Sequence, residues 1–462
     1  MAEKHSGMTK HYHLIGIGGI GMSGIARLLL DRGIKVSGSD AKPSKILDEL
    51  KESGALISIG HSAANIDNPD LAIYSSAIRQ DNPEILELKK KGIPLIKRAQ
   101  ALAELMQAKE VITVTGSHGK TTTSSMVSYL LWEAGLSPTI AVGGIIRNID
   151  TNAWMGKGNF FVAEADESDG SFLYYKPKYS IITNIDREHL DYYKNFGNAI
   201  QAYKDFINGT RFDGCVFYCA DDNNLKDIMR EYKGRKVSFG LTDSADIYPK
   251  NIEERQLQSD FDCFIGGKFV AKFHLSLGGR HNISNALSVI AVALELGIGI
   301  EVIKNVLAGY KGAHRRIEVK YEDNDITIID DYAHHPTEIK ATLSALKNLN
   351  FKRLIAIFQP HRYSRTQLLW DEFVGCFELV DILLFTDLYA ASEPPIEGVS
   401  SQALSARIKE VYPKKDVVYL PKGDVCGHIV RICRPGDLIV TLGAGDITKI
   451  CDDLVSRIKG KN

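Results

Sequence analysis

Ile112-Thr113-Val114-Thr115-Gly116-Ser117-His118-Gly119-Lys120-Thr121-Thr122-Thr123 decides the fold of this chain. A β-branched, apolar run ends in two glycines, then Lys120 and three threonines, then a helix-compatible stretch from Ser124 to Trp132. That order spells a strand, a tight loop and a helix N-terminus. Backbone N–H groups in such a loop point inward and cradle phosphate oxygens. Lys120 supplies a point charge for the outer phosphates, and Thr121 a hydroxyl for Mg²⁺. The loop is tighter than the general G-x-x-x-x-G-K-[ST] pattern, whose first glycine would fall on Val114. Gly116, Ser117, His118, Gly119, Lys120, Thr121 and Thr122 are the expected nucleotide-binding residues. The blander alternative, a glycine-rich turn with a solvated lysine, sits poorly with the buried-looking strand just before it.

The chain has 462 residues, which on a prior of ~150 residues each gives about three domains. It is 44% hydrophobic and 24% charged, ordinary for a globular protein. A net charge of −1 offers no electrostatic case for nucleic acid or an anionic membrane as a partner. Seven cysteines, none in a C-x-x-C pair, read as free thiols in a reducing compartment. The first ten residues are polar, and no apolar run approaches ~18 residues, so a cytoplasmic protein is expected. Monomer and homodimer both stay open.

Around the nucleotide loop three blocks can be drawn. The first, 1–106, opens with the strand His11 to Ile15, then Gly16-Ile17-Gly18-Gly19-Ile20-Gly21 and a helical run to Arg32. This is a G-x-G-x-x-G fingerprint: Gly18, Gly19, Ile20 and Gly21 allow close approach to a diphosphate above a helix N-terminus. Asp40, about twenty residues on and ending the next strand, stands where a ribose-binding carboxylate belongs. The fingerprint does not separate NAD(P) from another nucleoside diphosphate. The second block, 107–312, carries Glu164-Ala165-Asp166-Glu167-Ser168-Asp169 after one strand and Arg187-Glu188-His189 after another. Mg²⁺ favours carboxylate and phosphate oxygens, so Glu164 and His189 are expected metal ligands with Thr121. For Asp166, Glu167 and Asp169, metal ligation stands even with a solvated loop or a helix cap. His281, Asn282 and Asn285 lead an apolar helix and suit either a base edge or capping. The third block, 313–462, has two strand ends with polar loops, Asp331-Tyr332-Ala333-His334-His335-Pro336-Thr337 and Gln359-Pro360-His361-Arg362-Tyr363-Ser364-Arg365-Thr366. Adjacent histidines lack metal-ligand spacing. Arg362 and Arg365 suit bidentate contact to a carboxylate or phosphate, or a surface ion pair. Strands alternating with helices throughout predict an α/β fold with parallel sheets.

Taken together, in this order, the glycine fingerprint, T-G-S-H-G-K-T-T, E-A-D-E-S-D, H-N-x-x-N-A, D-D-Y-A-H-H-P-T and Q-P-H-R-Y-S-R-T resemble the Mur ligases, amide-forming enzymes of peptidoglycan precursor synthesis. The resemblance spans essentially the whole chain. It implies a Rossmann-like UDP-binding domain, a central P-loop ATPase-like domain and a C-terminal Rossmann-like domain. It also implies that ATP phosphorylates the lactoyl carboxylate of UDP-N-acetylmuramate and that L-alanine attacks the resulting acyl phosphate. Under that resemblance Lys120 stabilises the transferring phosphoryl group, and Thr121, Glu164 and His189 organise Mg²⁺. His281, Asn282 and Asn285 meet adenine; Arg316 and Asp331 meet nucleotide phosphate and ribose. His334, His361, Arg362 and Arg365 gather the amino acid carboxylate and the phosphate. Gly18 to Gly21, Asp40, His61 and Ser76 surround the UDP-sugar. Ala333 departs from the glycine more often found there. Some related ligases carry a carbamylated lysine; Lys204, the one lysine in 196–206, is left without that assignment. Three alternatives remain: a ligase adding a preformed tripeptide to the same sugar, an NAD(P)-dependent oxidoreductase, and a nucleotide-dependent switch without synthesis.

Overall fold

The computed structural model describes residues 10–460, apart from residues 76, 324 and 392 and the side chain of residue 191. Ser76, expected at the UDP-sugar, therefore lies outside the described residues. Two compact units result. One comprises the chain up to Pro249 with Cys263–Ala271 and Ser284–Val306; the other comprises Lys250–Asp262, Lys272–Ile283 and everything from Leu307.

The first unit contains two sheets. Strands β1 (His11–Ile15), β2 (Lys35–Asp40), β3 (Leu56–Ile59), β4 (Leu71–Tyr74) and β5 (Leu95–Lys97) form a parallel sheet of order β3-β2-β1-β4-β5. The order reverses between β1 and β4, which is where open α/β sheets bind ligands. Ile15, Ala72, Ile85 and Leu88 pack one core of this sheet. The second sheet is built on β6 (Glu110–Thr115), β7 (Thr139–Ile146), β8 (Thr151–Trp154), β9 (Phe160–Glu164), β10 (Tyr179–Ile182), β11 (Cys215–Cys219) and β12 (Lys236–Phe239). Their order is β12-β11-β10-β6-β9-β7-β8, all parallel except β8. Val111 to Thr115 are buried on both faces, as a central parallel strand requires. Register places Thr115 beside Ile182 and Val114 beside Glu164, so the glycine loop, the acidic cluster and the 183–189 segment emerge at one sheet edge. β13 (Ile247–Arg255) joins beside β12 through Phe239 and Ile247; β14 (Gln258–Ile265) and β15 (Lys268–Leu275) follow.

The second unit centres on β16 (Glu318–Glu322), β17 (Ile326–Asp331), β18 (Arg353–Phe358), β19 (Ile382–Phe385), β20 (Asp416–Tyr419) and β21 (Asp437–Leu442), in the order β16-β17-β21-β18-β19-β20. Only β16 runs antiparallel. One face packs Ile329, Leu354, Phe358 and Leu383 against helices, and the other packs Ile328, Ile355, Leu384 and Ile439. That alternation is the period-two pattern of strands covered on both sides. Asp331 and Phe358 both register with Leu442, bringing the two polar loops to one edge. Among the described residues no helix is long and apolar enough to cross a membrane. Lys204 forms a 2.9 Å ion pair with Glu231.

Candidate active site

The nucleotide loop depends on two left-handed glycines. Gly116 has φ +129°, and a Cβ there would overlap Thr183 Oγ1. Gly119 has φ +83°, and a Cβ would stand 2.8 Å from Asn285 Oδ1. Residues after β10 clamp the loop from below. Asn184 O and Oδ1 accept from Ser117 N and His118 N at 3.0 and 2.8 Å. Thr183 Oγ1 donates to His118 O at 2.6 Å, and Asp186 N donates to Ser117 Oγ at 2.8 Å. His118 Nε2 pairs with Asp186 Oδ2 at 3.0 Å.

Lys120 begins the helix Lys120–Glu133, and its Nζ donates to Gly116 O at 2.6 Å and Glu167 Oε1 at 2.8 Å. Burial opposes its charge, but Glu167, Asp166, Glu188 and Glu164 outweigh that and hold the ammonium above its ordinary pKa. Thr121 Oγ1 donates to Glu164 Oε2 at 2.9 Å, and Gly143 N reaches the same oxygen at 3.1 Å. His189 lies with Glu167 and Glu188, at 3.5 and 3.7 Å. Burial disfavours its charged form; Glu167 and Glu188 more than offset that and raise its pKa. The expected set of Thr121, Glu164 and His189 is thus split into a Thr121–Glu164 pair and a Glu167–Glu188–His189 group.

In the first sheet Gly16 takes φ +78°, and Gly16 N and Ile17 N donate to Ser39 O. Gly19 caps the helix Ile20–Asp31, which carries Gly21 in its first turn. Asp40 Oδ2 accepts from Gly18 N at 2.9 Å, so the acid at the end of β2 braces the glycine turn directly. Arg98 lies against Gly21, where an added Cβ would come 2.8 Å from its Nη1, and reaches Asp166 at 3.7 Å. Asn152 Nδ2 donates to Ile20 O at 3.0 Å, a second tie between the two sheets of this unit.

In the second unit Asp331 is buried and accepts from Ile317 N at 2.7 Å and Ala333 N at 2.8 Å. Burial pushes its carboxyl up to about 6 against the pull of Arg316. Arg316 lies over the Tyr332 ring at 5.1 Å and 3.9 Å from Glu338. His281 is neutral, lowered to about 4 by burial and by Arg316. Asn282 Nδ2 donates to Gly278 O at 2.8 Å. His334, His361 and Arg365 do converge: the two rings sit 5.6 Å apart, and Arg365 Nη1 donates to His361 Nδ1 at 3.0 Å. Burial and Arg365 lower both histidines, His361 to about 3. His361 also stacks on Tyr389 at 5.5 Å, and Arg362 lies 4.0 Å from Glu393.

Family models match along the chain in sequence: "Mur ligase family, catalytic domain" over residues 11–110, "Mur ligase middle domain" over 114–293 and "Mur ligase, glutamate ligase domain" over 315–445. The chain belongs to the Mur ligase family. It is 46% identical over 455 residues to the UDP-N-acetylmuramate–L-alanine ligase of Geotalea uraniireducens, covering 98% of this chain and 99% of that one. Its structure resembles the UDP-N-acetylmuramate-alanine ligase of Thermotoga maritima with TM-score 0.85 at 29% identity, covering 98% and 100% of the two chains. It also resembles a murein peptide ligase of Psychrobacter arcticus with TM-score 0.74 at 26% identity, covering 97% and 98%.

In this Mur ligase two further acidic residues enter the site: Glu167, for which the sequence left metal ligation even with a solvated loop or cap, and Glu188, to which it gave no role. Glu167 is 2% exposed, and among the described residues its Oε2 has no hydrogen-bond partner although the residue is buried. Donor atoms of Glu167, Glu188 and His189 lie within 4.8 Å of one another. A buried carboxylate oxygen without a donor, among two acids and an imidazole, fits a divalent cation. The Asx turn that aims Glu167 inward, with Ser168 N donating to Asp166 Oδ1 at 3.0 Å, was the one local signal for it. The Thr183–Asn184 clamp had no such signal, since its partners lie 65 and 66 residues away.

Proposed function

We propose that this Mur ligase joins L-alanine to the lactoyl carboxylate of UDP-N-acetylmuramate, cleaving ATP to ADP and phosphate. The observation that carries the phosphoryl-transfer chemistry is Lys120 Nζ, held at the loop mouth between Gly116 O and Glu167. The full-length likeness to ligases of that name supports the choice of substrates.

A carboxylate does not condense with an amine unaided, because hydroxide or oxide is a poor leaving group. Transfer of the γ-phosphoryl group to a carboxylate oxygen breaks the bond to the β,γ-bridging oxygen and gives an acyl phosphate and ADP. The free amine of L-alanine then adds to the carbonyl carbon, loses a proton, and the tetrahedral intermediate expels phosphate. Such chemistry needs positioned charge rather than a protein nucleophile. Lys120 neutralises the transferring group, and the loop N–H groups hold the phosphates. Thr121, Glu164, Glu167, Glu188 and His189 are the residues that would hold Mg²⁺, which when bound offsets negative charge on phosphate oxygens. Arg98, beside the UDP loop and the acidic cluster, suits an anionic group of the sugar substrate. Neutral His334 and His361 with Arg362 and Arg365 suit the carboxylate of the incoming amino acid. His281, Asn282, Asn285, Arg316 and Asp331 are assigned to adenine, phosphate and ribose. The reading places the protein in the cytoplasm, where its nucleotide substrates are.

The test is phosphate release from Mg-ATP and UDP-N-acetylmuramate with L-alanine, glycine, L-serine or the tripeptide L-alanyl-γ-D-glutamyl-meso-diaminopimelate added separately. Release that needs both the sugar nucleotide and L-alanine is expected. Release driven by the tripeptide alone would move the chain to the peptide-recycling reaction, the reading favoured by likeness to the murein peptide ligase.

A further inference from the structure

The loop after β18 takes a backbone form that its own residues do not favour. Arg362 has φ +69° and ψ 139°. Glycine enters that left-handed half of backbone space freely, whereas a residue with a side chain does so at a cost. Such a residue persists where its surroundings over-determine it. Here the surroundings are largely a second loop, the one after β19, to which the reaction above gives no part.

The two loops pair through their backbones. Tyr389 N donates to Pro360 O and Arg362 N to Tyr389 O, both at 2.8 Å. The Tyr389 ring stacks on His361 with the planes 7° apart. On the other side of Arg362, Thr366 N and Oγ1 donate to its carbonyl oxygen at 3.2 and 2.8 Å. The last hold is Glu393. Its Oε2 accepts from Ser364 N at 3.0 Å, and its Oε1 accepts from Ser364 Oγ at 2.7 Å. Glu393 N itself donates to Ala390 O at 3.0 Å, which sets the acid on a turn. One carboxylate thus takes both donors of Ser364, in the first turn of the short helix Tyr363–Leu368. With Arg362 N tied to one loop residue and Ser364 to another, the peptide planes that flank Arg362 cannot rotate independently. Releasing Ser364 lets Arg362 relax to negative φ. That change redirects its Cα–Cβ bond, and the guanidinium with it.

We propose that Glu393, acting through Ser364, is a positioning residue that holds Arg362 in its left-handed turn and so presents the guanidinium to the carboxylate of the incoming amino acid. That role rests on Arg362 and Arg365 meeting the carboxylate, as read above. Glu393 does not touch the substrate. It works by accepting two hydrogen bonds; its charge, 4.0 Å from Arg362 Nη1, is not what the role needs.

Steady-state kinetics on the full chain test this, with Mg-ATP and UDP-N-acetylmuramate saturating and L-alanine varied. Glu393→Ala should raise the KM for L-alanine about tenfold or more, since a small misplacement of a binding group is costly. It should change kcat less than about threefold and the KM for ATP less than about twofold, a split that general loss of structure would not give. Glu393→Gln should restore the KM for L-alanine to within about threefold of the unaltered value. Its amide oxygen accepts from Ser364 N, and its NH₂ donates to Ser364 Oγ, so both links survive without the charge. The double variant Ser364→Ala with Glu393→Ala should lie within about twofold of Glu393→Ala alone, because the two side chains act as one unit. A Glu393→Gln variant as impaired as Glu393→Ala, or effects of the two sites that multiply, overturns the proposal. Arg362→Ala separates two failures. If it leaves the KM for L-alanine unchanged, the carboxylate reading falls and the role of Glu393 falls with it. If it raises that KM and Glu393→Ala does not, the role of Glu393 alone is refuted. Should Glu393→Ala fail to fold, Ser364→Ala takes its place. It must raise the KM for L-alanine at least about threefold with the KM for ATP unmoved, and an unchanged KM for L-alanine refutes the proposal.

Discussion

At Lys120 the demands of fold and chemistry coincide: one ammonium closes the loop carbonyls, neutralises Glu167 and remains charged despite burial. Glu167 shows what a strand-end reading leaves undecided between ligation and a solvated loop. Glu164 was legible because it ends β9 beside Val114, whereas Glu167 enters the site by a turn whose direction is set by Asp166 and Ser168. Removing the acid while keeping its shape, Glu167→Gln, should raise the Mg²⁺ concentration required for turnover by about tenfold or more. An unchanged Mg²⁺ requirement in a titration at saturating ATP would remove Glu167 from the ion site. Asp331 makes a pH prediction. Its folded pKa of about 6 lies above the ordinary aspartate value of 3.8, so the folded state binds the extra proton between those values. Stability from this group therefore falls as pH rises from about 4 to 6, by up to about 3 kcal/mol. The ribose contact proposed for it requires the carboxylate, which is present above about 6 and lost below. KM for ATP should accordingly rise as pH falls through about 6 in the unaltered protein and stay flat there in Asp331→Asn.

At the level of elements, strand–glycine–helix junctions were the most readable parts of the chain. β1 with Gly16–Gly21 and β6 with Gly116–Gly119 announce themselves because left-handed glycines and helix N-termini leave local signatures. What holds those junctions was not readable. Asp40 braces Gly18 from 22 residues away, and Thr183 and Asn184 grip the nucleotide loop from the next strand. Gly116→Ala tests the junction directly, since it adds a Cβ that overlaps Thr183 and takes on a disfavoured backbone conformation. It should cost about 1–3 kcal/mol of stability in denaturant titrations and weaken ATP binding more than UDP-sugar binding. Equal losses at both sites would mean the loop is not a separate nucleotide junction.

Across the whole molecule, α/β sheets of mostly parallel strands were expected from the sequence and are found, in a chain matched by three Mur ligase domains. The order of the sheets' strands puts each polar cluster at carboxyl strand ends, the shared position for ligands in such folds. The UDP-sugar and the ATP phosphates are assigned to different sheets, so their binding should separate. Lys120→Ala should lower turnover by about a thousandfold while UDP-N-acetylmuramate affinity, by calorimetry, changes less than about threefold. A matching loss of sugar-nucleotide affinity would contradict that division. The measurement that bears most directly on the central claim is phosphate release from Mg-ATP by the purified chain, with UDP-N-acetylmuramate and each candidate amine supplied in turn. The account predicts release only when UDP-N-acetylmuramate and L-alanine are both present, with UDP-N-acetylmuramoyl-L-alanine formed in equal amount. Release without the sugar nucleotide, or ligation of the tripeptide in preference to L-alanine, would contradict it.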